Sequence, residues 1–201
     1  MRRRHAIRVL AGAAALALAI PAAAATAADT EVTLQVTEAD ASALSISVAD
    51  TTASLGEITA SWDDQVVETD LPNTTVTDER GDDGASWAVQ VAAAEEDFAG
   101  PGGGSIGLQE VDVYIDSSIA DALLDGTSGL LNGMTVDSAY DGGGSEHLGT
   151  PYELISGTTD GSLFGDLTAA PSVEYTPTFR VTVPGGTPPD TYTVTVQQTV
   201  S

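Results

Sequence analysis

One short stretch concentrates the chemistry this chain can offer: Asp78-Glu79-Arg80-Gly81-Asp82-Asp83-Gly84. Calcium needs six to eight oxygens converging from loops, and carboxylates with backbone carbonyls supply them. Gly81 and Gly84 give the backbone freedom to turn carbonyls inward. Asp78, Glu79, Asp82 and Asp83 are therefore the candidate calcium ligands. Their spacing is not the D-x-D-x-D-G order of an EF-hand loop. The plainer alternative is a solvated acidic turn in which Arg80 neutralises its neighbours. Asp63-Asp64 and Glu95-Glu96-Asp97 are further acidic clusters. Arg80-Gly81-Asp82 also spells an integrin-type tripeptide, a match that three residues reach by chance.

Catalytic side chains are scarce. His5 sits in the N-terminal leader, which leaves His147, in the glycine-rich run Gly142-Gly143-Gly144-Ser145-Glu146-His147, as the one later histidine. The chain has no cysteine, and no lysine occurs in it, so Cys–His and Ser–Lys nucleophiles are excluded. Gly103-Gly104-Ser105-Ile106-Gly107 spells G-x-S-x-G, but it falls in a glycine-rich loop cluster and lacks the strand-to-helix context of a nucleophile elbow. Carboxylate pairs of the glycosidase type cannot be singled out among 30 acidic residues. The expectation is a non-enzyme with no catalytic residue and no organic cofactor, and a lone loop histidine facing solvent.

Charge narrows the partners. Arg2, Arg3, Arg4 and Arg8 precede an apolar stretch, Val9 to Ile20, and Ala25-Thr26-Ala27 fits the small-x-small rule for signal peptidase. Residues 1–27 thus read as a signal peptide, and the protein as secreted. What remains carries Arg80 and Arg180 against 30 acidic residues, a formal charge of about −28. Such a surface repels nucleic acid and anionic lipid, so neither is an expected partner. The apolar stretch is short for a membrane span, and no sortase-type signal or apolar helix closes the sequence. An exported chain without disulfides, rich in Ala, Gly, Thr and Asp, points to a Gram-positive, high-GC actinobacterial surface.

The elements that must position these residues read as strands. Val32, Leu34 and Val36 alternate with polar residues. So do Leu44, Ile46 and Val48; Val111, Val113 and Ile115; Phe179, Val181 and Val183; and Tyr192, Val194 and Val196. Val76 and the set Trp87, Val89 and Val91 predict a β-hairpin around the acidic turn. One short helix is expected over Ser117 to Leu124, capped by serine, with Ile119 and Leu123 inward. Residues 126–170 lack clean alternation and suggest irregular strands or an insertion. The expected architecture is one all-β domain over 28–201, an antiparallel β-sandwich of Ig-like or Greek-key type. Trp87 and Tyr192 fall at buried strand positions; Trp62, beside Asp63-Asp64, does not.

The stretch from Leu71 to Phe98 resembles the first signature of the WxL family of Gram-positive cell-surface proteins. The matching residues are Val76, Asp78, Arg80, Gly81, Trp87 and Phe98, with Val89 in the leucine position of Trp-x-Leu. The family's second, C-terminal Trp-x-Leu is absent; Tyr192-Thr193-Val194 stands in the last strand. The resemblance implies a β-rich, non-enzymatic domain that attaches non-covalently to peptidoglycan or other cell-surface components, as an adhesion module. Because a Gram-positive wall is itself anionic, attachment is expected to need calcium or magnesium. The alternative is a structural subunit of a surface layer or fibre, pairing through edge strands at Val32–Val36 and Tyr192–Val200. A carbohydrate-active enzyme is the third reading.

Overall fold

The computed structural model describes residues 28–37, 44–80, 83–124, 131–159 and 170–201. Residues 1–27, on which the expected signal peptide falls, the turn residues Gly81 and Asp82, and parts of the 126–170 stretch lie outside them. The described chain is mostly strand. In order these are β1 (Ala28–Thr37), β2 (Leu44–Val48), β3 (Thr52–Ile58), β4 (Gln65–Asp70), β5 (Thr74–Asp78), β6 (Ser86–Ala93), β7 (Asp97–Ala99) and β8 (Ser105–Gly107). They continue as β9 (Val111–Ile115), helix α1 (Ser117–Leu124), β10 (Leu131–Asn132), β11 (Met134–Ala139), β12 (Tyr152–Thr159), β13 (Ser172–Tyr175), β14 (Pro177–Val183) and β15 (Thr193–Val200). No helix among the described residues is long and apolar enough to cross a membrane.

Three sheets result. The largest runs β11-β12-β6-β15-β1-β3, with β7 beside β15 and β8 beside β7. The second runs β10-β13-β5-β2 and the third β4-β14-β9. Alternating β-branched residues give each strand one buried face: β5 alternates buried and half-buried positions, and Trp87, Val89 and Val91 of β6 are fully covered. These faces share one core, to which Val32, Phe98, Val113, Leu154, Tyr175, Phe179 and Val196 also belong. A buried polar link crosses between the first and second sheets. The Tyr175 hydroxyl donates to Gln198 Oε1 at 2.9 Å, and Gln198 Nε2 donates to Thr74 Oγ1 at 3.4 Å.

Three expectations are corrected. β5 and β6 are not a hairpin: they lie in different sheets, and the acidic turn carries the chain from one to the other. Period-two patterning fixes which face of a strand is buried, not which neighbour it bonds to. The first and last described strands are not edges. β1 lies between β15 and β3, and β15 between β6 and β1. Their pairing is parallel, from Glu31 opposite Thr193 to Thr37 opposite Thr199, whereas the other pairs are antiparallel. A parallel pair needs a long connection, and here nearly the whole chain supplies it.

Within 126–170, β12 is a regular inner strand between β11 and β6. The alternation of β11 and β12 is hidden by a register shift in each, between Val136 and Ser138 in β11 and between Glu153 and Ile155 in β12. A bulge of this kind puts consecutive residues inward, as Leu154 and Ile155 show. Helix α1 forms where expected but is capped by Asp116, whose Oδ1 accepts from the Ser118 amide at 2.9 Å. Ala120 and Leu123 form its buried side, while Ile119 is only half-buried.

Candidate functional site

The acidic turn is built around a buried ion pair. Asp78, at the end of β5, is fully covered. Its Oδ1 accepts from the Arg80 amide at 2.9 Å and from Nε at 3.0 Å. Its Oδ2 accepts from Arg80 Nη2 at 2.9 Å and from the Thr159 hydroxyl of β12 at 2.5 Å. Arg80 Nη2 also donates to the Ser86 carbonyl at the start of β6. The pair therefore ties β5 of the second sheet to β6 and β12 of the first. Burial alone would raise the Asp78 carboxyl, but the bonds from Arg80 and Thr159 outweigh it and hold the carboxyl below its ordinary value. Four hydrogen bonds fill the four acceptor positions of this carboxylate. Asp78 could ligate calcium only by releasing Arg80 or Thr159. Glu79 and Asp83 are exposed; Asp82 and Gly81 lie outside the described residues. No group of three or more His, Asp or Glu side chains that could hold a metal ion occurs among the described residues.

Trp87 follows this turn and is 2% exposed. It sits opposite Gly157 of β12, where a Cβ would strike the Thr135 carbonyl and the indole. Val89 is fully buried in the same face. Phe98, the last residue of the matched pattern, lies elsewhere in the core. Ser201, just past β15, bonds Ala88, while Thr193 at the other end of β15 pairs with Ala99. Eight residues of strand separate these points, roughly 25 Å. The pattern thus marks both ends of one core rather than a single pocket.

The second arginine is also committed. Arg180 on β14 forms a bidentate pair with Asp112 of β9, through Nε at 3.1 Å and through Nη2. It also donates to the Gly142 carbonyl at 3.1 Å and lies 4.8 Å from the Tyr114 ring centroid. Burial pushes the Asp112 carboxyl up in spite of Arg180. The Tyr114 hydroxyl donates to Glu68 at 3.1 Å, beside a wide, open groove that Asp70 and Asp116 also line. His147 is half-buried rather than solvent-facing, and its Nδ1 is buried with no hydrogen-bond partner among the described residues. Among the described residues, therefore, no carboxylate accepts from Nδ1.

The remaining distinctive surface is at the end of the molecule where the β3–β4 and β14–β15 loops meet. Gly186 N donates to the Ser61 carbonyl at 2.8 Å, and Gly185 N donates to Asp64 Oδ1 at 2.8 Å. Between these two anchors Trp62 projects, 92% exposed, its ring edge over Gly186. Gly185 approaches the Trp62 backbone so closely that a Cβ would overlap its carbonyl. Beside Trp62 opens a cavity of about 50 Å³. Leu55, Val67, Phe98, Ile106, Val183 and Tyr192 wall it, and Asp63 and Asp190 are its carboxylates. Asp190 is held by the amides of Gly102 at 2.6 Å and Thr191 at 2.9 Å. Tyr192 donates to the Pro188 carbonyl at 2.7 Å and packs edge-on against Phe98. Sequence reading does not assemble this cavity, because its walls come from six separate strands and loops. The signal it did contain is Trp62, a tryptophan in an acidic turn outside any alternating run.

No protein-family model matches the chain, and no curated protein sequence matches it.

Proposed function

We propose that this protein is a non-enzymatic module of an exported, cell-surface or cell-wall-associated protein, binding peptidoglycan or another surface component non-covalently. The observation that carries this reading is Trp62, the large apolar side chain left 92% exposed while Trp87 is buried. Exposed indoles beside a preformed apolar cavity are the usual means of gripping sugar rings and peptide side chains. The layered reading of the sheets, a β-sandwich of Ig-like or Greek-key type, is supported by the buried link of Tyr175, Gln198 and Thr74 between two sheets. Such a scaffold presents loops at its ends, and the Trp62 loop is one of them.

The signal-like leader at 1–27 and the WxL-like stretch from Leu71 to Phe98 support the location. With a formal charge of about −28 on residues 28–201, attachment to an anionic wall draws on calcium or magnesium bridges, Glu79 and Asp83 among the exposed acids. Retention of the purified protein on insoluble wall material tests both parts. Trp62→Ala is expected to lower the bound fraction at least tenfold, about 1.4 kcal/mol or more. Equal retention of variant and parent overturns the reading. A bound fraction that is the same in chelator as in calcium removes the cation bridge.

A further inference from the structure

We infer that the cavity beside Trp62 receives a primary alkylammonium side chain of lysine type. Its methylene stem fills the apolar slot and its ammonium is held by Asp63 and Asp190, the carboxylates of the lining. This rests on the binding reading above and names the chemistry of the group bound. The slot comes first. Its volume of about 50 Å³ holds three or four water-sized groups, at about 10–15 Å³ each. That is room for an unbranched chain of about four carbons. Phe98, Ile106 and Val181 in its wall are almost completely buried, so the part of a ligand that enters must be apolar.

The charged side chains that line the cavity are Asp63 and Asp190. Asp63 is exposed and Asp190 half-buried, which places the negative charge toward solvent from the apolar wall. Asp190 is already fixed by two backbone amides, and its remaining lone pairs are available to a donor. Arg80 and Arg180 are bonded to Asp78 and Asp112, and neither lines the cavity. The cation that complements these carboxylates must come from the ligand. A compact ammonium on a flexible stem suits a narrow slot better than a planar guanidinium, which needs a fork of acceptors. A carboxylate or phosphate would meet two like charges at the same place.

Titration of the protein with Nα-acetyl-L-lysine methylamide, followed by methyl NMR, tests this. The norleucine and glutamate analogues are run beside it. The lysine probe is expected to shift the methyl signals of Leu55, Ile58 and Val67. Norleucine, with the same stem and no charge, should bind about tenfold more weakly, and the glutamate probe should leave the signals unmoved. Asp63→Asn changes an exposed side chain, so the fold persists, and it should weaken the lysine probe severalfold. Norleucine binding as tightly as lysine, or an unchanged lysine affinity in Asp63→Asn, overturns the inference. The two readings fail separately. Wall retention that depends on Trp62 without any lysine binding overturns this inference alone. Lysine binding with Trp62-independent wall retention overturns the proposed function instead.

Discussion

At the residue scale the two tryptophans make opposite predictions. Trp87 fills core space against Gly157, so Trp87→Ala should cost about 3–5 kcal/mol of unfolding free energy. Trp62 touches mostly solvent, and Trp62→Ala should change stability by less than about 0.5 kcal/mol. Denaturant melts of both variants check this, and a costly Trp62→Ala would show that its loop is structural. Asp78 and Arg80 give a pH prediction. The Asp78 carboxyl is held below its ordinary value in the folded state. Its contribution is therefore fully present above the unfolded value near 3.9 and is lost as pH falls through the lower folded one. Arg80→Ala leaves Asp78 buried without its cation. The expected cost is about 2–3 kcal/mol near neutral pH, below the full buried-pair value because the Arg80 side chain is 26% exposed. The cost should shrink below about pH 4. Parallel melting curves for parent and variant between pH 6 and pH 2 would refute the role given to this pair.

At the element scale, Gly157 and the bulges of β11 and β12 decide the middle of the first sheet. A Cβ at Gly157 meets both the Thr135 backbone and the Trp87 ring, and neither can retreat without disturbing a pairing. Gly157→Ala should therefore destabilise by about 1–3 kcal/mol or more, against about 1 kcal/mol for Gly103→Ala, where nothing crowds the site but φ is +88°, a conformation that an L side chain rarely adopts. Calorimetry of the two variants separates crowding from backbone preference. The edges bear on assembly. β3 and β11 end the first sheet. Beside β3, Thr69 of β4 donates to the Ser54 carbonyl at 3.3 Å, while β11 carries a bulge and the exposed Asp137. Both features blunt strand addition. The protein should elute as a monomer at high concentration; a concentration-dependent shift to larger species would favour the surface-layer alternative.

At the scale of the whole molecule, charge dominates. Two arginines stand against 30 acidic residues in 28–201, and both lie in ion pairs, so the surplus is borne by the surface. Self-repulsion lowers stability until salt screens it. The melting temperature should rise between about 0.01 M and about 1 M NaCl, across which the screening length falls from about 30 Å to about 3 Å. Calcium at matched ionic strength should raise it further where exposed carboxylates such as Glu79 and Asp83 share an ion. A flat response to salt would mean that the acidic groups are spaced widely enough to ignore one another.

The sequence alone determined what depends on local order. It showed which face of the alternating strands is apolar, where the helix starts and stops, that Trp87 and Val89 are buried and that the surface is acidic. Those properties follow from side-chain alternation and composition, which a chain carries wherever it goes. Pairing partners were beyond its reach, because hydrogen bonds between strands use backbone groups that are alike at every residue. The hairpin expected at Asp78–Asp83 became a crossing between sheets, and the presumed outer strands β1 and β15 became inner parallel neighbours. The bulges at Val136 and Glu153 hid β11 and β12 for the same reason: a single extra residue inverts the alternation that identifies a strand. The cavity beside Trp62 was decided entirely by tertiary structure, since Leu55, Val67, Phe98 and Tyr192 are distant in sequence and meet only when the first and third sheets close on one core.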